Sequence, residues 1–188
     1  MDSADGLIEA AEATGNPHLL AWALGAYGVA FHDADPVGAL NALGRGLVIA
    51  QDSGNRTYAS LLAPFLARHE AEHGATVSAF DPLTLAIRNY HNAGDSTTLR
   101  IPLAVLAAVF DRLGRYEPAA TIAGFALGSL AATTVPEITT AIAHLREVLG
   151  DQTYESLAHK GETTTTAAMA AYAYDQIDQA RTELEHPS

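Results

Sequence analysis

One string in this chain combines residue types and spacing that could do chemistry: His69-Glu70-Ala71-Glu72-His73. On a helix, residues four apart share a face, so His69 and His73 could ligate one zinc ion while Glu70 acts as general base. A catalytic zinc site also needs a third protein ligand. The Gly-x-x-His extension that would supply one is missing, because Thr76 stands where its glycine should be. Asp81, His91 and Asp95 qualify by type alone, and none sits in a second motif. His18, His32, His91, His144, His159 and His186 share no ligand spacing and read as surface or turn residues. No GxSxG elbow marks a nucleophilic serine, and no glycine-rich loop ending in Lys-Ser/Thr marks a phosphate site.

The elements that must position these residues are helices. Hydrophobic residues make up 48% of the chain, much of that alanine, and strand signals are absent. Gly15-Asn16, Gly54-Asn55 and Gly94-Asp95 each close one apolar-periodic segment and open another, 39 and then 40 residues apart. A fixed period of that size is the mark of stacked helix–turn–helix repeats. In that register His69 aligns with Ala30 and Val109, His73 with Ala34 and Leu113, and Glu70 with Phe31 and Phe110. The HExxH string therefore falls on the last turn of a repeat helix, where its siblings pack apolar groups or meet the turn. Histidine there also suits the negative end of the helix dipole.

Caps and prolines give the boundaries. Helices are predicted over 2–14, 17–31, 36–52, 56–73 and 76–92, with a kink at Pro64 and a late start near Asp81-Pro82. The third pair is predicted over 96–113 and 116–131. Thr134-Val135-Pro136-Glu137 has capping-box spacing for a helix to about Leu149. A short helix over 152–160 and an Ala-rich helix from the Thr163–Thr166 run to about Leu184 complete the chain.

The formal charge of −12 argues against phosphate backbones as direct partners. The lack of cysteine removes disulfides and thiolate metal sites and fits a reducing cytoplasm. No apolar run reaches the length of a membrane span. Trp22, Arg56, Tyr58 and Arg100 lie on the first helices of successive repeats, the helices that often line a solenoid's concave face, and are the candidates for partner contact.

From about Asn92 onward the chain resembles the closing repeats of large actinobacterial regulators, described as LuxR-type or adenylate-cyclase-associated predicted ATPases and related to maltotriose-dependent activators. The residues carrying the likeness are Leu113-Gly114-Arg115, Glu117, Ala119-Ala120, Ala123-Gly124, Leu149-Gly150, Tyr154, Gly161 and the alanines of 167–173. Leu157-Ala158-His159 and the four threonines depart from the family, which commonly has a tryptophan and acidic residues there. The resemblance implies a fragment whose nucleotide-binding module lies upstream.

The combined expectation is an all-α, tetratricopeptide-like solenoid of about nine or ten helices in antiparallel pairs. It would be one domain over 1–188, with repeats at 16–53, 55–93 and 95–132 and capping helices over 134–184, excised from a larger protein. The expected role is non-catalytic: a scaffold or effector sensor of a transcriptional or signalling regulator, without cofactor or metal. Its partner would be a protein, a small effector or a second copy of itself. The alternative is a zinc-dependent hydrolase using His69, Glu70 and His73.

Overall fold

Asn16 shows how local chemistry starts a helix in this chain. Its side chain accepts the N–H groups of His18 at 2.9 Å and Leu19 at 3.4 Å, and Pro17 comes next at the first helical position. Asp35 accepts from Gly38 N–H at 3.1 Å and also precedes a proline, while Asn55 accepts from Tyr58 N–H at 3.1 Å. These caps open α2 (Pro17–Ala30), α3 (Pro36–Asp52) and α4 (Arg56–His73), which come after α1 (Asp2–Ala13). The computed structural model describes residues 2–74 and 76–186, with side chains from residue 6 onward.

Three of the glycine turns are built alike. At the end of α3 the Asn55 N–H reaches the Ala50 carbonyl at 2.8 Å and the Gly54 N–H reaches Gln51 at 3.0 Å, with Gly54 at φ 72°. This double closure requires a left-handed residue, hence glycine. It recurs at Gly94-Asp95, bonded to His91 and Tyr90, and at Gly114-Arg115, bonded to Asp111 and Phe110. The closure does not follow the expected period throughout: at Gly15 the Asn16 N–H goes to the Thr14 hydroxyl at 3.1 Å, and Gly114 lies only 20 residues after Gly94.

The described residues are helical with no strand. After α4 and a short 3-10 turn at Thr76–Ala79 come α5 (Phe80–Ala93), α6 (Arg100–Arg112), α7 (Tyr116–Ala126), α8 (Ser129–Thr134), α9 (Glu137–Leu149), α10 (Asp151–Glu162) and α11 (Thr166–Glu185). No helix among them is long and apolar enough to cross a membrane. Contacts divide the chain into two compact units, 1–82 and 83–188.

In the first unit α1 packs on α2, α2 on α3 and α3 on α4, around Leu24, Leu43, Leu62 and Leu66. Side-chain contacts between α2 or its closing turn and α4 recur at nearly constant separation. His18 meets Asn55, the Trp22 carbonyl meets Tyr58, and His32 meets His69, at 37, 36 and 37 residues. α2 and α4 therefore run in the same direction.

In the second unit α6 is the axis, with Pro102–Phe110 buried without interruption and packed by α7 and α9. A helix apolar on all sides must be enclosed in this way. Gly124 and Gly161 let α7 and α10 touch backbone to backbone: a Cβ on Gly161 would lie 1.8 Å from the Thr121 carbonyl oxygen, and one on Gly124 2.1 Å from that of Ala158.

Several boundaries differ from expectation. The helix predicted over 116–131 breaks after Ala126 and resumes as α8, so there are more helices than nine or ten. The break is held from a distance, as the Arg100 guanidinium donates to the carbonyls of Phe125 and Leu127. The capping box at Thr134 is not formed: Thr134 ends α8, and α9 starts after Pro136 with no side-chain cap. α6 starts at Arg100 and not near Ser96, because Pro102 has no N–H to continue the ladder and the Thr98 carbonyl bonds Ile101 instead, at 3.0 Å. α4 continues through Pro64. Of the alanines expected to pack α11, Ala170 and Ala173 are buried, whereas Ala167, Ala168 and Ala171 face solvent. The threonine cap is real at Thr165, which accepts the Ala168 N–H at 3.3 Å.

Candidate functional site

The apolar stripe of α4 runs Leu62, Leu66 and then His69, so the first histidine of the motif takes the next buried position of a packing face. His69 is fully buried. Its Nε2 lies 2.6 Å from the Pro36 carbonyl oxygen at the start of α3, which can only accept, so Nε2 carries the proton. That leaves the Nδ1 lone pair of His69 facing away from Pro36.

It faces a residue the motif does not contain. His32, in the turn after α2, places its Nδ1 2.6 Å from His69 Nδ1. The other nitrogen of His32 lies 2.9 Å from Oε2 of Glu72, and the second oxygen of that carboxylate is 3.8 Å from Arg68 Nε. His73, with 40% of its side chain exposed, completes the group; its ring centre is 4.8 Å from that of His69 and 5.8 Å from that of His32. One potential ligand atom from each of the three histidines lies within 4.8 Å of the others, the single such group among the described residues. A cavity of about 190 Å³ borders His32, walled by Gly28, Leu43, Phe65 and Arg68.

Spacing alone points to His69 and His73 and leaves His32 as a scattered turn residue. His32 does lie in a turn, but it is turned inward onto the motif. The missed signal is the 39-residue sequence register. Shifted by the 39-residue period, His69 lands on Ala30 and His73 on Ala34, and His32 lies midway between them. Glu70 does not join the cluster: its carboxylate rests where a Cβ on Gly74 would stand, 2.3 Å away. Of the other ligands considered, Asp81 is outside the cluster, and His91 and Asp95 belong to the second unit.

The partner-contact candidates separate into two settings. Trp22 is 55% exposed and shares a face of α2 with Leu19 at 48% and Val29 at 47%. Tyr58 is half-buried beside it, donating its hydroxyl to the Trp22 carbonyl at 3.3 Å, and burial pushes that hydroxyl's pKa up. Arg56, near the start of α4, is exposed. Arg100 belongs to the second unit, where it binds the end of α7, lies 4.9 Å from the centre of the Phe125 ring, and edges a cavity of about 490 Å³. The structure thus groups Trp22 with Tyr58 and commits Arg100 to an internal task.

The residues that carried the family resemblance also have structural tasks. Arg115 donates to Gln176 at 2.9 Å, Gln179 at 3.2 Å and Glu183 at 2.6 Å, tying the Gly114 turn to α11, and Gly124 and Gly161 make the α7–α10 contact. No protein-family model matches the chain, and neither the curated proteins nor the solved structures include one that matches it.

Proposed function

We propose that this chain is a non-catalytic, tetratricopeptide-like helical-repeat module that works by holding a protein partner, as the C-terminal region of a regulator of the LuxR-type or adenylate-cyclase-associated ATPase kind. The observation that carries the reading is the exposed apolar stripe of Leu19, Trp22 and Val29 on a first repeat helix, beside the parallel first helix α4. Exposed tryptophan on such a face is a frequent anchor for a partner. The recurrent Gly-Asn and Gly-Asp turns support the repeat arrangement, and Leu113-Gly114-Arg115 with Gly124 and Gly161 supports the likeness to the family's closing repeats.

The test is made on the full product of the gene. A phosphate-binding loop upstream of this region and a nucleotide-hydrolysis rate that changes several-fold in Trp22→Ser are expected. A gene product without a nucleotide-binding module, or a rate indifferent to Trp22→Ser, contradicts the reading.

A zinc-dependent hydrolase is the second reading, and the presence of His32 beside His69 and His73 favours it. Against it stands Glu70, the required base, with its carboxylate against Gly74. Hydrolysis of model peptides and esters by the zinc-loaded chain, abolished in Glu70→Gln, would establish this reading in place of the first.

A further inference from the structure

The geometry points to a metal site in which Glu70 takes no part: His32, His69 and His73 bind one divalent transition-metal ion of the zinc class, which clamps the α2–α3 turn to the end of α4. The Pro36 carbonyl holds a proton on Nε2 of His69, and Glu72 as a carboxylate holds one on Nε2 of His32. Both Nδ1 atoms are then bare lone pairs, held face to face at 2.6 Å. Two such lone pairs repel unless a positive charge lies between them. A proton can serve one pair, but a third imidazole stands beside it, and three convergent imidazoles are a ligand set for a metal ion.

The surroundings fit that use. Histidine ligands are oriented by carbonyl or carboxylate partners on the other ring nitrogen, which is what Pro36 and Glu72 provide. Nitrogen-only ligation with no cysteine or ligating carboxylate favours zinc, nickel or copper over magnesium or calcium. Zn–N bonds of about 2.0–2.1 Å in a tetrahedral site set nitrogens roughly 3.3 Å apart. His32 and His69 must therefore separate by about 0.7 Å to admit the ion, and the cavity beside His32 gives it room to withdraw. His73, with 40% of its side chain exposed, can turn inward, leaving a fourth position for water.

The test is calorimetric titration of tag-free, chelator-stripped chain with zinc chloride. The expected result is one zinc per chain, unaffected by a tenfold excess of magnesium. His73→Ala is expected to weaken binding at least ten-fold, and Glu72→Gln to weaken it by a similar factor through loss of His32 orientation. His144→Ala, outside the cluster, is expected to titrate as wild type. His73 is exposed enough that its variant should keep the wild-type circular-dichroism melt in the absence of metal. No binding at micromolar zinc, effective competition by magnesium, or a folded His73→Ala that titrates as wild type would each overturn the proposal.

Discussion

The ends of α4 and α6 occupy the same place in the repeat register, yet the two are built differently. Where α6 ends, Val109 and Phe110 are buried in an apolar core, Gly114 turns left-handed at φ 73°, and Arg115 closes the helix onto the Phe110 carbonyl at 2.9 Å. Where α4 ends, the residue equivalent to Val109 is the buried His69, and Gly74 leaves the helix in an extended conformation, φ −117° and ψ −156°. The two ends differ both in chemistry and in backbone. Departures from local consistency concentrate at functional positions, and this one carries the histidine cluster.

The largest expected effect probes the regular end. Phe110→Ala removes a fully buried ring and should cost about 3–5 kcal/mol, read by denaturant unfolding. Transferring the exception onto the regular end comes next. Val109→His buries a polar ring with no equivalent of Pro36 or His32 and should cost about 2–3 kcal/mol. A cost near zero would mean that the position tolerates histidine anywhere in the repeat, and that His69 needs no special surroundings.

The two glycines give a smaller contrast. Gly114→Ala forces a side chain into the left-handed region and should cost about 1–2 kcal/mol. Gly74→Ala displaces the movable Glu70 carboxylate and comes within 3.1 Å of the Glu70 carbonyl oxygen, but at a backbone angle open to any residue, so it should cost less than Gly114→Ala. Equal losses from both would erase the difference between the two ends.

The smallest effect concerns the helix starts. Asn55 caps α4, whereas Asp95 caps the turn before α6, and the Thr98 N–H and then its hydroxyl lower the Asp95 pKa below the ordinary carboxylate value of 3.8. A carboxyl more acidic in the folded state contributes stability above its unfolded pKa and loses it as pH falls through the folded one. Asp95→Asn should leave the melting temperature at pH 7 nearly unchanged and reduce its drop as pH falls below about 4, since asparagine caps as well as aspartate. A pH profile identical to wild type would contradict the assignment.

Much of the fold was legible because its punctuation is local. Pro17, Pro36, Arg56 and the Gly54-Asn55 turn stand where caps and left-handed glycines dictate. What escaped was decided over distance. The break after Ala126 is tied down by Arg100, some 25 residues earlier, and Gly128, the extended residue that opens α8, is its one local mark. The site was half legible for the same reason. His69 and His73 announce themselves by spacing, but His32 joins them only because α2 and α4 run side by side at an offset of 37 residues.

The most direct test of the account is an anomalous difference map at the zinc edge, from crystals of the tag-free chain grown with one equivalent of zinc. The prediction is a single peak about 2.0–2.1 Å from one nitrogen each of His32, His69 and His73. A peak elsewhere, or none at the end of α4, would contradict it.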